Sequence, residues 1–201
     1  KMSSALAKNK KLTWVYENIL IAGCNFLKQV ESNGVPFDLT RLEMAQGIMT
    51  KDIDAAVEKL YEFPEVRQFE KAKGKDFNPN STVQLRSLMY DFIGLTPTGK
   101  KTGTGADSTD AEVLGELGRV HEVPKLILEI RQKVKIKSTY LDKIIPNLDM
   151  DSRLRTGFNL HGTTSGRLSS SGKLNMQQLP RDNPTVKGCI KATEGHKIVS
   201  M

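Results

Sequence analysis

The chain has 201 residues, 38% of them hydrophobic and 26% charged, with a formal net charge of +7. That supports a packed core and excludes disorder throughout. No apolar run approaches the ~20 residues a membrane span needs, and the lysine-bearing N-terminus lacks the order of a signal peptide. A soluble intracellular protein with no membrane partner is expected.

Taken in chain order, Leu12, Val15, Ile19, Ala22, Phe26 and Val30 recur at spacings of three or four and predict a helix over 9–30 with one apolar face. Asn33-Gly34 ends it, and Val35-Pro36 opens an extended turn. Asp38 or Thr40 can cap a second helix reaching Phe63, with Leu42, Ala45, Ile53, Ala56 and Leu60 inward. Glu65 to Asp76 is highly charged and reads as an exposed stretch after Pro64. Asn80 or Ser81 caps a short helix through Ile93, closed by Gly94. Thr96 to Ala106 is a loop rich in Thr, Gly and Lys. Thr109 and Glu112 have capping-box spacing for a helix over 110–119. Pro124 suits the first turn of the next helix, over 125–140. After Pro146 the pattern turns to short strands, at 154–160, 163–170, 188–192 and 197–201. The order, helical first and β afterwards, predicts an α+β fold.

The charge is unevenly placed. From Lys125 to Lys191 there are 13 Lys or Arg against five Asp or Glu, whereas the remaining chain has 17 and 18. A localised basic surface concentrates polyanions, although a solvated basic face reads the same way from composition. Arg131 and Lys135 lie four apart, one above the other on a helix, and Ser138 continues near that line. Gly94-x-x-x-x-Gly99-Lys100 resembles a phosphate loop. Lys101 stands where that motif needs Ser or Thr, and no strand precedes it. A basic loop touching phosphates through amides, hydroxyls and lysines is the better reading. His121, His161, His196, Cys24 and Cys189 share no metal spacing. No paired carboxylates sit on predicted strand ends, so no catalytic constellation is expected within these residues. Arg167 lies among small polar residues, with Asn175, Gln177 and Gln178 soon after. Arg, Asn and Gln donate to minor-groove acceptors.

The run TTSGRLSSSGKLNMQQLP (163–180) resembles the segment T-x-T-G-R-L-S-S followed by N-L-Q-N-[IL]-P of family A (polymerase I-like) DNA polymerases. Upstream, IRQKVKIKSTYLDKI (130–144) is similar to the family's R-x3-K-x-K-S-T-Y helix end, and FNPNSTVQLRSLMYDFIGL (77–95) to the start of its thumb helix. GKKTGTGADSTDAEVL looks like the thumb-tip loop, and VESNGVPFDLTRL (30–42) like the passage from palm to thumb. All stand in the family's order.

The resemblance implies a right-hand polymerase: a palm helix leading in (1–34), a mostly helical thumb (35–150) and the first part of the palm, with antiparallel β elements (151–201). It implies primer–template duplex DNA as partner, dNTP as the full enzyme's substrate, and Mg2+ bound by carboxylates outside this chain, the first expected just after Met201. Catalytic residues within the chain are therefore none, and the chain alone is not expected to polymerise. The DNA-binding roles it implies fall on Arg167, at the minor-groove side of the primer-terminal pair, and on Asn175, Gln177, Gln178 and Arg181 in the same region. They also fall on Arg131, Lys135, Lys137 and Ser138 along the thumb helix, and on Lys100, Lys101, Ser108 and Thr109 at the thumb tip. Departures are one extra residue between Arg167 and Asn175, Gln178 in place of Asn, and Leu160-His161 before the Thr run. They point to a phage-type enzyme acting in the host cytoplasm. A phage subgroup recruits thioredoxin through a large thumb insertion. Only the short stretch Glu65 to Asp76 occupies that gap, so no thioredoxin partner is expected. The rival reading, a non-enzymatic basic nucleic-acid-binding module, explains the charge but not the ordered motifs.

Overall fold

The computed structural model describes residues 8–172, 174–179 and 183–199. Arg181 and the end of the strand expected at 197–201 lie outside the described residues. In chain order the elements are α1 (Lys10–Val15), α2 (Ile21–Asn33), β1 (Val35–Pro36), α3 (Leu39–Glu62), α4 (Pro64–Lys73), α5 (Thr82–Ser87), α6 (Ala111–Leu117), α7 (Glu122–Ile136), α8 (Asp142–Ile144), β2 (Arg153–Leu154), β3 (Gly157–Asn159), β4 (Ser169–Ser171) and α9 (Pro184–Lys187). Wider turns, in which an amide reaches back five residues rather than four, occupy Tyr16–Leu20, Leu88–Phe92 and Lys137–Leu141. The fold is α+β, as expected, with its strands in two small antiparallel pairs.

The chain forms two compact units, one made of the residues up to Ala45 and from Tyr140 onward, the other of Gln46–Thr139. These limits fall inside the stretch 35–150 that the resemblance treats as one domain. The reason lies in the pairing around β1. It runs antiparallel to β2, Val35 opposite Leu154. The Phe37 amide donates to the Ser152 carbonyl (2.9 Å) and the Asp38 amide to the Cys189 carbonyl (2.8 Å).

In the first unit, Asn9 caps α1 through its side-chain oxygen, which accepts from the Lys11 and Leu12 amides. The face expected to be inward is instead exposed at Leu12, Val15, Ile19, Phe26 and Val30; Phe26 is 62% exposed. The buried side chain is Leu27, on a stripe with Gly23 and Glu31 at spacings of four. A Cβ on Gly23 would lie 3.1 Å from Leu160, and Glu31 Oε1 accepts from the Phe158 amide at 2.6 Å. The apolar period reports a helix, but the neighbouring hairpin decides which side it touches. Gly34 ends α2 at φ +59° and ψ −178°, a conformation reserved for glycine. Arg155 Nε and Arg153 Nη1 donate to the Ser32 and Asn33 carbonyls at 2.9 and 2.7 Å, answering acceptors that a helix end leaves open. β3 and β4 pair Gly157 with Ser171, Phe158 with Ser170 and Asn159 with Ser169. Both are shorter than expected, and 160–168 becomes the hairpin's long connection.

In the second unit, Ala56, Leu60, Val66, Phe69, Phe77, Leu85, Leu88, Met89, Val113, Leu114, Leu117, Val123, Ile127 and Ile130 form one core. The charged stretch after Pro64 is helical rather than a loose exposed segment. Pro64 opens α4 at a position that needs no amide hydrogen, and Val66 and Phe69, three apart, are buried. Phe69 meets Phe77 and Phe92 edge-on at 5.4 and 5.3 Å. Ser81 caps α5 as expected. Asp110, not Thr109, caps α6, its carboxylate accepting from the Val113 amide at 3.0 Å. His121 caps α7 through Nδ1, and Pro124 sits in its first turn.

Candidate nucleic-acid interface

In the first unit, Arg167, Asn175, Gln177 and Gln178 are brought together. With Leu168, Ser169 and Ser170 they line an open concavity of about 620 Å³. The floor is built by hydrogen bonds. Gln177 Nε2 donates to the Leu168 carbonyl (3.1 Å) while its Oε1 accepts from Ser170 Oγ (3.3 Å). Asn175 Oδ1 accepts from the Gln177 amide (3.0 Å) and caps the short turn Met176–Gln178. The Tyr140 hydroxyl donates to the Gln178 carbonyl. Thr163 Oγ1 donates to the Arg167 carbonyl at 2.6 Å. A Cβ on Gly162 would lie 1.9 Å from Ser169 Oγ and 3.0 Å from Ser169 Cβ, so a side chain there would have to displace the Ser169 hydroxyl. The Arg167 guanidinium itself is exposed and has no hydrogen bond or ion pair among the described residues. The role of Tyr140 has no local signal in the sequence, because its partner stands 38 residues away. The extra residue between Arg167 and Asn175 follows β4, where Gly172 adopts φ +112°; position 173 lies outside the described residues.

In the second unit, the loop between α5 and α6 is closed on itself. Thr102 and Ala106 form its turn (2.7 Å), Lys101 pairs with Asp107 in a short bridge, and the Ser108 amide donates to the Lys100 carbonyl (2.8 Å). Lys101 Nζ lies 2.6 Å from Asp107, and Lys100 Nζ lies 2.8 Å from Asp110 and also contacts Glu112. Both lysines expected to meet phosphates are thus engaged by carboxylates of their own loop. Ser108 and Thr109, expected to offer hydroxyls to phosphates, are buried, each 6% exposed. Their place at the start of α6 turns them inward, with Ser108 Oγ accepting from the Asp110 amide at 3.2 Å.

The Lys100 ammonium, helped by the Val113 amide, holds the Asp110 carboxyl down to about 2. A carboxyl lowered in the folded state adds stability above its unfolded pKa, ~4, and loses it as pH falls through the folded value. A carboxyl-carbon NMR titration of Asp110 is expected to show a midpoint near 2. Lys100→Met should return it toward the ordinary aspartate range; an unmoved midpoint would mean that the amide alone sets it.

On α7 the expected stripe divides. Arg131 turns into the fold: Nε donates to the Pro79 carbonyl (2.8 Å) and Nη1 to the Thr109 carbonyl (2.9 Å), and burial pulls its pKa below the usual arginine range. Arg131 adjoins Ile127 and Ile130, at the edge of the core, where the segments before α5 and α6 reach it. Lys135, one turn further on, is exposed and has no ion pair among the described residues. Lys133 by contrast pairs with Glu129 (2.8 Å) and Asp52 (3.7 Å). Lys137 is half-buried and Ser138 exposed, both in the wide turn Lys137–Leu141.

Among the described residues no group of three or more His, Cys, Asp or Glu is arranged to hold a metal ion, and no helix is long and apolar enough to cross a membrane. A sequence profile described as DNA polymerase family A matches residues 49–201. The chain belongs to DNA polymerase family A. The DNA polymerase of Escherichia phage T5 is 53% identical over 195 residues, covering 97% of this chain and 23% of that protein. The thermostable DNA polymerase I of Thermus filiformis is 34% identical over 186 residues, covering 92% of this chain and 21% of that protein. The chain therefore spans about a quarter or less of these family A relatives. Among solved structures, the polymerase domain of Pol1 from M. smegmatis, in complex with DNA primer-template and dNTP, superposes with a TM-score of 0.80 at 27% identity, covering 96% of this chain and 32% of that one. Relatives of both phage and bacterial origin thus share this family A segment.

Proposed function

We propose that this chain is the duplex-holding part of a template-directed DNA polymerase, with Gln46–Thr139 acting in the thumb and the other unit in the palm. The observation that carries the reading is the concavity at Arg167. There a free guanidinium stands beside Asn175, Gln177 and Gln178 on a backbone fixed by Ser170, Leu168 and Tyr140. Purine N3 and pyrimidine O2 occupy similar places in every correct base pair, so donors of this kind can test pair geometry without reading sequence. A polymerase needs that property at a primer terminus. The family membership and the primer-template complex of the M. smegmatis relative support the same reading.

In the enzyme so proposed, Arg167 holds the terminal pair while the primer 3′-hydroxyl, losing its proton, attacks the α-phosphate of a bound dNTP and pyrophosphate leaves. Bound Mg2+ would supply charge stabilisation for that attack; no matching carboxylate set occurs among the described residues. The part played by this chain is orientation of the duplex. Lys135 contributes electrostatic grip, as an exposed cation near the end of α7 with no ion pair among the described residues. Lys100 and Lys101 reach phosphates only by exchanging their carboxylate partners. The shortness of the stretch Glu65 to Asp76 supports a thumb that works without a thioredoxin partner.

Lys135→Ala in the polymerase carrying this chain is expected to weaken binding to all duplexes alike and to reduce the slope of log Kd against log salt by about 1. Fluorescence anisotropy over a salt series measures both. A loss that depends on duplex sequence would contradict the assignment.

A further inference from the structure

Arg131 stands on the helix face expected to meet DNA, yet its guanidinium is spent inside the second unit. Two of its nitrogens are taken by carbonyls from two different segments, Pro79 before α5 and Thr109 before α6. The third, Nη2, is buried and has no partner among the described residues. A nitrogen sealed from solvent has no path to a phosphate or a base edge. Among the described residues no carboxylate answers the charge, and the two carbonyls are its hydrogen-bond partners.

We propose that Arg131 is a positioning residue, which fixes the loop between α5 and α6 by gripping the Thr109 carbonyl and so acts on DNA only through that loop. The chain of contacts is short. Thr109 lies between Ser108, whose amide closes the loop onto Lys100, and Asp110, which caps α6 and pairs with Lys100. Moving the Thr109 carbonyl therefore moves the base of the loop and both its lysines. The Pro79 contact ties the same guanidinium to the Asn78–Ser81 turn that starts α5. A planar fork with divergent N–H groups can bridge two carbonyls; a single ammonium cannot hold both in the same geometry. The effect on DNA rests on the duplex-holding function proposed above, whereas the grip on the loop does not.

The test uses Arg131→Ala and Arg131→Lys in the full polymerase, with Lys135→Ala for comparison. Hydrogen exchange without DNA should quicken about tenfold or more at the Gly105, Ser108 and Ser81 amides and stay unchanged in the middle of α7. Affinity for primer–template DNA should fall about tenfold, and in a Lys100→Met/Lys101→Met background, where the loop has neither lysine left to place, Arg131→Ala should weaken binding no further, whereas Lys135→Ala should keep its full effect. Arg131→Lys should reproduce most of both effects, and it serves alone if the alanine variant does not fold. A loss of affinity that persists in full without the two loop lysines, full rescue by lysine, or unchanged exchange in the loop would each overturn the proposal. If the unaltered polymerase did not bind duplex at all, the proposed function would fall, and the exchange data would still decide whether Arg131 fixes the loop.

Discussion

Arg167→Ala is expected to slow nucleotide addition by about a hundredfold while raising the Kd for primer–template DNA by no more than a few-fold. The asymmetry follows from the surroundings of Arg167. Its guanidinium is exposed and carries no part of the fold, so its removal leaves the hairpin intact. Many contacts along a duplex share the work of binding, whereas one terminal pair has to be held at the moment of attack. A group that matters most in the transition state lowers the rate and leaves ground-state affinity nearly alone. Arg167→Lys should recover little, since a point charge cannot replace a fork that spans two acceptors. Single-turnover extension and equilibrium binding separate the two quantities. Equal losses in both would reassign Arg167 to simple duplex attraction.

Gly34→Ala is expected to destabilise the fold by about 3 kcal/mol. Two independent costs add. Alanine is strained at φ +59° with extended ψ, and its Cβ would lie 2.9 Å from the Leu154 carbonyl oxygen and 2.8 Å from Arg155 Cγ. Arg155 is not free to yield, because it donates to Ser32 and to the carboxylates of Asp149 and Asp151. The β1–β2 pairing would have to open. Gly47→Ala is the matched control: it lies within α3 with nothing within 4 Å of the added carbon. It should stabilise by up to ~1 kcal/mol. Thermal unfolding of both variants should show a midpoint lowered for Gly34→Ala and raised or unchanged for Gly47→Ala. Equal midpoints would mean that the backbone near Leu154 adapts freely.

Much of this was legible in the sequence where the cause is local. Asn33-Gly34 marked a helix end, Asp38 and Ser81 stood at helix starts, and Pro124 suited a first turn; each depends on its nearest neighbours in the chain. Arg167, Asn175, Gln177 and Gln178 come together because they are close in sequence and their floor is mostly made by residues between them. What was not legible depends on distant partners. Arg131 and Lys135 have the same helical spacing and nearly the same chemistry, yet only the carbonyls of Pro79 and Thr109 distinguish them. Tyr140 gave no local sign that its hydroxyl would meet the Gln178 carbonyl, 38 residues on. Lys100 and Lys101 read as phosphate ligands because a charge count does not say which acid sits beside which base. α4 was hidden because two buried side chains in a charged stretch leave almost no apolar period to detect.

The wide turn Lys137–Leu141 has a consequence for how this segment tolerates change. Five residues there do what four would do in a regular helix, so the chain holds one residue of slack where α7 passes toward α8. Losing a single residue at that turn leaves the backbone on either side able to keep its path, by tightening into ordinary α-helix. Elsewhere in α7 the same deletion would rotate every following side chain by about 100°. A one-residue deletion is therefore expected to cost less stability at this turn than in the middle of α7.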